Sequence, residues 1–425
     1  MGRLPGIQEV GAREAWRILW RLRKGSRGLA GALEQLRMRL GDIFSVKIGK
    51  FELVVVAHPQ GLREALVEKR EAFAWRVEGE PIVKLLRRGV LVQDGEAHRF
   101  TRGVMELSNR RAHLFPRLES LYAEVDRVTA LWREEAVYDM RVEMRKVALF
   151  AFERVYFSHD IAPELPGLWE PILSLIRYIG PGIWLFWGAV SPPRSLSRVD
   201  AHLFQLIHKR KRDKNPPDDM LTHLLQAFPE DEERIRDQML TMLIAGHDTS
   251  TAALAWSLYI LGREPRWQER LREEIRDHLG GRPPLPSDVA DLIHMDAFVK
   301  EVLRLYPPIH AGNRRVRHAV ELMGFPLFEG QRVLLSYYLV HRHPRYWEGP
   351  SSFMPERWLR GEKRDSFAYL PFGGGPRMCI GAPFAQLELR LILVRLLQTF
   401  RFSLVKSGVT PDMGATLEPY PGAVS

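Results

Sequence analysis

Cys379 is the one cysteine among 425 residues, and it lies in Phe372-Gly-Gly-Gly-Pro-Arg-Met-Cys-Ile-Gly381. A thiol framed by glycines, one arginine and an apolar flank is either a nucleophile or a metal ligand. As a ligand the sulfur must be deprotonated and kept from bulk water, so it needs backbone N–H donors nearby. Glycines at 373, 374, 375 and 381 let the chain turn in close enough to supply them. As a nucleophile the sulfur needs a histidine base. No near-sequence partner stands out, and distance in sequence leaves that alternative open.

Other polar groups stand where chemistry or strain is expected. Ala245-Gly-His-Asp-Thr249 interrupts the apolar run Met239–Ala245, and polar groups inside a core helix are costly unless partnered. Glu301 and Arg304 are an i,i+3 pair that could form on any helix. His341-Arg-His343-Pro puts two histidines on one face of a strand. That pair tempts a metal-site reading.

These residues need elements to hold them. The longest is a helix over Asp231–Arg263, begun by Asp231-Glu232-Glu233, acidic residues suited to a helix N-terminus. At ~1.5 Å per residue it spans about 45–50 Å. Its apolar middle requires burial on nearly all sides. Helical spacing is also read over 60–74, 96–135, 139–158, 197–212, 218–227, 266–279 and 294–305, and in a last helix after Ala382. Residues 43–48 alternate and are followed by Gly49-Lys50 and Phe51–Ala57, a β-hairpin. Short strands are expected over Val316–Leu322, Gln331–Ser336 and Arg401–Val405. No repeat or linker is seen. The expectation is one mostly α unit with small β-sheets over residues 1–425, its β-rich part at about 40–60 and 310–345.

With 45% hydrophobic residues the chain can fill a large core, and a lone cysteine excludes a disulfide framework and any all-cysteine zinc or iron–sulfur site. A reducing cytoplasm suits it. The net charge is +10, and 50 of the 62 basic residues are arginine. This charge is spread along the chain, which argues against nucleic acid and fits a basic surface or an acidic protein partner. Met1-Gly-Arg-Leu-Pro lacks the apolar core of a signal peptide or anchor. Residues 171–190 carry only Arg177 as a charge, but Gly180-Pro181-Gly182 breaks them, so a greasy lid or membrane-touching loop is expected rather than a span.

In order along the chain, Ala245-Gly-His-Asp-Thr249, Glu301-Val-Leu-Arg304, Pro355-Glu-Arg-Trp358 and the Cys379 loop resemble the cytochrome P450 family of haem-thiolate monooxygenases. The resemblance covers nearly the whole chain. It implies haem b, with the Cys379 thiolate as axial iron ligand. It implies haem-contacting positions at Phe372, Ala245 and Gly246, and propionate contacts from Arg377, His98, Arg102 and Arg314, with Arg315 next to Arg314 leaving that assignment open by one. Glu301, Arg304 and Arg357 match a buried ion network on the thiolate side. For His341-Arg-His343-Pro it implies a structural segment ahead of Pro355-Glu-Arg-Trp358 instead of a second metal site. Asp248 and Thr249 match an acid–alcohol pair, in which Thr249 bonds the helix backbone and opens a groove for dioxygen while Asp248 relays protons. His247 would point away. The peroxide-using fatty-acid branch has arginine and proline at that pair, and the covalent-haem branch has glutamate where Ala245 stands, so neither is expected.

For the substrate pocket the resemblance suggests Phe73, Trp75, Ile82, Leu85, Leu86, Leu91, Val92, Met242, Ile309–Gly312 and the turn at Pro421-Gly422. The apolar lid, with Trp184, Phe186 and Trp187, points to a large lipophilic substrate. Trp267-Gln268 and Asp296-Ala297-Phe298 resemble fatty-acid, terpenoid and carotenoid hydroxylases. No electron-transfer module is fused, so a monomer served by ferredoxin and ferredoxin reductase, or a similar donor, is implied. Arg99, Arg110 and Arg111 could dock it. A peroxide-driven enzyme and a haem protein that binds ligand without turnover are the alternatives.

Overall fold

The long helix forms where its charges place it. Helix Glu232–Arg263 is capped by Asp231, whose carboxylate accepts from the Arg234 N–H, with Glu232 and Glu233 in the first turn and Arg263 in the last. The computed structural model describes residues 7–11, 14, 29–48, 51–180, 191–405 and 408–420. The helices that matter to the site are α1 (Gly95–Glu106), α2 (Met140–Phe157), α3 (Leu165–Ile179), α4 (Leu196–Lys211), the long helix α5, α6 (Ile293–Leu305) and α7 (Ala382–Thr399). The main core draws on α1–α7 together with helices Leu121–Thr129, Met220–Ala227 and Pro265–Leu279, and α2 packs along α5.

The two β-rich stretches join in one sheet of order β1-β2-β3-β8-β5-β4. It comprises β1 (Gln8–Val10), β2 (Ile43–Ile48), β3 (Phe51–Val56), β4 (Phe73–Ala74), β5 (Gly312–Val316) and β8 (Arg332–Leu335). The hairpin β2–β3 pairs antiparallel as expected, and β8 adds parallel to β3. Two further pairs, β6 (Val320–Leu322) with β7 (Phe325–Leu327) and β9 (Thr410–Met413) with β10 (Leu417–Tyr420), stand apart from it.

Four expectations fail, the first being a strand over Val316–Leu322, which irregular residues 317–319 split between the end of β5 and β6. Residues 96–135 are not one helix. The run breaks at Arg110, whose backbone is extended, breaks again after a short helix carrying Pro116, and ends at Thr129. Residues 60–74 stop being regular at Arg63 and pass through a π-turn over Glu64–Glu68. There the Glu64 carboxylate is held by Lys69, Gln60 and the Met323 N–H. Residues 401–405 form no strand, because the Phe402 backbone is satisfied by the Gln268 side chain through both its N–H and its carbonyl. Among the described residues no helix is long and apolar enough to cross a membrane. The first half of the 171–190 stretch completes α3 and buries Pro171, Ile172, Leu175 and Ile176. Residues 181–190, including Trp184, Phe186 and Trp187, lie outside the described residues, as does the turn at 421–422.

Candidate active site

The loop that carries Cys379 is held from three directions. The Cys379 N–H donates to the Phe372 carbonyl at 2.8 Å, closing the loop on itself. Gly375 has φ +68° and sits so close to the Leu66 carbonyl that a Cβ there would lie 2.4 Å from it. The π-turn over Glu64–Glu68 therefore fixes the loop's approach, and no side chain fits. Arg102 of α1 donates to the Met378 carbonyl at 2.8 Å and pairs with Glu106. The sulfur then faces the start of α7, where the backbone amides of Gly381 and Ala382 favour its thiolate form. Burial pushes the thiol up, while these two amides and the nearby Arg102 charge pull the other way. Cys379 is accessible all the same, so it opens onto space deep inside the protein. A sulfur with ready-made N–H donors, an accessible face and a pKa raised by burial suits a thiolate held by a metal, which removes the proton that burial retains.

The long helix opens at a matching place. Ile235–Ile244 and Ser250–Leu261 are buried almost without a break, yet Ala245 is exposed and Thr249 half-exposed between them. Thr249 Oγ1 donates to the Ala245 carbonyl at 2.9 Å, so the helix stays continuous while this carbonyl is engaged by a side chain. Gly246 has a packing reason as well: a Cβ there would lie 2.5 Å from the Phe152 ring of α2. His247 is fully buried, its Nδ1 on the Leu243 carbonyl, and burial holds it down to about 4. Asp248 turns away from Thr249. It is buried, 2.8 Å from Arg145 Nη2 and 2.8 Å from Thr416 Oγ1, and Arg145 also pairs with Glu418 at 2.6 Å.

A cationic cluster lies where three separate segments meet. Alternation along β5 decides between neighbours: Arg314 is buried, whereas Arg315 bonds the Gly330 carbonyl on the other face. The Arg314 guanidinium stacks on Trp75 at 3.4 Å from the ring centre, and Arg377 approaches the same indole at 5.2 Å. Arg377 also reaches Asp94 at 2.7 Å and the Gln93 carbonyl, and Arg317 takes the other Asp94 oxygen. Burial pushes both Arg314 and Arg377 down to about 10, still charged at neutral pH. His98, buried beside Arg377 and Arg102, is held down to about 4, first by burial and then by those charges. Arg314 Nη2 is buried with no partner among the described residues. One carboxylate thus serves several cations, and a buried guanidinium nitrogen waits for an acceptor. Anionic carboxylates of a prosthetic group fit that demand.

The family model for "Cytochrome P450" matches residues 12–167 and 195–422. The chain belongs to the cytochrome P450 family. It is 30% identical over 395 residues to pentalenene oxygenase of Streptomyces avermitilis, covering 88% of this chain and 85% of that one. It is 29% identical to cyclooctatin synthase of Streptomyces melanosporofaciens (90% and 86% covered) and 29% identical to protein LUTEIN DEFICIENT 5, chloroplastic, of Arabidopsis thaliana (92% and 72%). P450 proteins are haem enzymes in which a cysteine thiolate ligates the iron, and the sulfur, its donors and the cationic cluster fit that group.

In this P450 the ion network is densely hydrogen-bonded around Glu301, while Arg357 Nη2 has no partner among the described residues. Glu301 accepts from Arg304 (2.8 and 2.9 Å), Arg357 (3.2 Å), the Met354 N–H and the Trp358 indole. Arg304, fully buried, also holds the carbonyls of His341, Pro350 and Ser352, which ties α6 to the loop ahead of the cysteine. His341 is engaged at both ring nitrogens by backbone, with Arg304 O and Leu370 N.

The pocket assignments fare less well. Phe73 pairs with Val316 and packs in the sheet's core, so it is no chamber wall. Trp75 is a platform for two arginines. Leu85, Leu86, Val92 and Met242 are buried in the main core, Ile82 and Leu91 pack against it, and Ile309 is 42% exposed. One site residue escaped the reading of the chain. Glu388 of α7 is fully buried, pushed up to about 8 by burial, and takes a 2.6 Å bond from Ser250 Oγ, next to Thr249. The signal was present, since Glu388 is the one acid in the apolar stretch from Leu387 to Leu397.

Arg314→Met should weaken haem retention on the order of tenfold or more, the worth of one or two charge-assisted bonds. Arg314→Lys should rescue it poorly, lacking a planar face for Trp75. The rate of haem transfer to an acceptor apoprotein measures both, and an unchanged rate in both variants would remove Arg314 from the site.

Proposed function

We propose that this P450 is a monooxygenase that hydroxylates a lipophilic substrate of fatty-acid, terpenoid or carotenoid type, with dioxygen and two electrons from separate donor proteins such as ferredoxin and its reductase. Cys379 would ligate the haem iron, and Arg314, Arg377, His98 and Arg102 would hold the propionates, with Arg102 also bracing the Met378 carbonyl. Bound haem supplies the activation of dioxygen. The observation that carries the reading is Thr249: an alcohol at the accessible gap in the long helix, already bonded to Ala245 O, and so placed to hold a proton where a small molecule can sit.

Asp248 supports the same reading as a proton source. Its oxygens are held by Arg145 and Thr416, so it can deliver a proton only when one of these bonds opens. Glu418 offers Arg145 a second carboxylate to move to, near the surface. Arg99, Arg110 and Arg111 are exposed on or next to α1, the helix that braces the cysteine loop, and a basic patch there suits an acidic electron donor. Relatives whose names tie them to pentalenene and to lutein accord with an extended apolar substrate. A monomeric, cytoplasmic protein that meets membrane through 171–190 is in keeping with such a substrate.

Thr249→Ala tests the reading. Reductant should still be consumed, while product per reductant falls on the order of a hundredfold and peroxide appears in its place, the lower end of what a proton-handling group contributes. Thr249→Ser should restore most of the coupling. Unaltered coupling in Thr249→Ala would favour a peroxide user, and absence of turnover in the parent would favour a haem protein that only binds ligand.

A further inference from the structure

Away from the haem site, three side chains converge with nothing to bond. Glu153, in the last turns of α2, is 0% exposed and both its carboxylate oxygens lack a hydrogen-bond partner. His159, in the turn after α2, and His202 of α4 each have a buried Nε2 that is equally unpartnered. The three ligand atoms lie within 4.8 Å of one another, and the two imidazole rings are 5.5 Å apart. In the two other histidine–aspartate groupings the carboxylate already has partners, although His343 Nε2 makes no well-formed hydrogen bond. His113 and His223 both bond Asp218, and Asp42 is held by Arg37 and His343. Among the described residues only Glu153 has a carboxyl buried with neither oxygen bonded to a cation or a donor, an arrangement that is costly in itself.

We propose that Glu153, His159 and His202 bind a zinc-class divalent cation, with Glu164 or water as fourth ligand. Two imidazoles and one carboxylate are a donor set for zinc. Metal-to-ligand bonds of about 2.0–2.2 Å need the three atoms to close by only an ångström or so from their present spacing. Glu164 Oε1 already stands 3.6 Å from His159 Nε2. Two carboxylates would leave a bound dication neutral, with Asp160 near His159 partly offsetting Lys209 and Arg154. Burial pushes the Glu153 carboxyl up to about 8, so it holds its proton at neutral pH and would release it when the metal binds. The ion would strap the end of α2 to α4, the helix that packs on both α3 and α5.

The test is equilibrium dialysis of haem-loaded, untagged protein against micromolar zinc, with zinc counted per haem. One zinc per chain is expected, accompanied by uptake of about one proton by the buffer in calorimetry. Glu153→Gln and His202→Ala should each weaken zinc at least about tenfold with an unchanged haem spectrum, while His113→Ala leaves it alone. Zinc that fails to bind, that binds equally to Glu153→Gln and His202→Ala, or that is lost with His113→Ala would overturn the site. Should those variants fail to fold, anomalous diffraction from zinc-soaked wild-type crystals decides: a peak between Glu153, His159 and His202 supports the site, and a peak elsewhere or none removes it.

Discussion

Cys379→Ser is expected to yield protein whose reduced, carbon-monoxide-bound spectrum lacks the long-wavelength band of thiolate-ligated haem. Turnover should fall on the order of 10³-fold, about 4 kcal/mol of barrier. The reason lies in the electron donation that only a thiolate provides and in the amide donors of Gly381 and Ala382 that set its strength. Serine is nearly the same size and leaves the loop's other supports intact: the Phe372 carbonyl, the Leu66 contact at Gly375 and the Arg102 brace. The variant should therefore fold, and the comparison isolates the ligand. An unchanged spectrum would mean that another residue holds the iron.

Glu301→Ala should leave little haem-loaded protein. The substitution removes the one carboxylate, among the described residues, that bonds both Arg304 and Arg357, and it strands a guanidinium that is 0% exposed. Breaking one partner of a buried pair costs about 3–5 kcal/mol, a large part of what a folded chain has to spare. The Met354 N–H and the Trp358 indole lose their acceptor too, so the loop between the network and the cysteine loosens. Glu301→Gln keeps an acceptor for those two donors and should be milder. The ratio of haem to protein absorbance and the denaturation midpoint measure both variants. A fully loaded Glu301→Ala would show that the network does not position the site.

What could be read from the chain alone were features set by local spacing. Alternation over 43–48 marked the hairpin, acids at 231–233 marked the start of the long helix, and the glycines around Cys379 marked a loop whose backbone turns on its sulfur. What could not be read depends on contacts between distant segments. Asp248 meets Arg145, 103 residues earlier, and nothing near either residue announces it. An aromatic residue in a loop before α1 reads as a pocket wall, so Trp75 gave no hint that two arginines from β5 and the cysteine loop would lie on its face. Phe73 was misplaced for a related reason. It reads as the end of a helix, but the π-turn at Glu64–Glu68 redirects the chain, and two residues are left to pair with β5. The choice between Arg314 and Arg315 needed only the phase of a strand, which its start at Gly312 supplies.

The bond from Ser250 to Glu388 ties the long helix to α7. Ser250 neighbours the alcohol proposed to handle protons, and Glu388 rides on the helix whose first amides grip the sulfur. A guest that nudges the long helix would therefore tug on the thiolate's donors from behind.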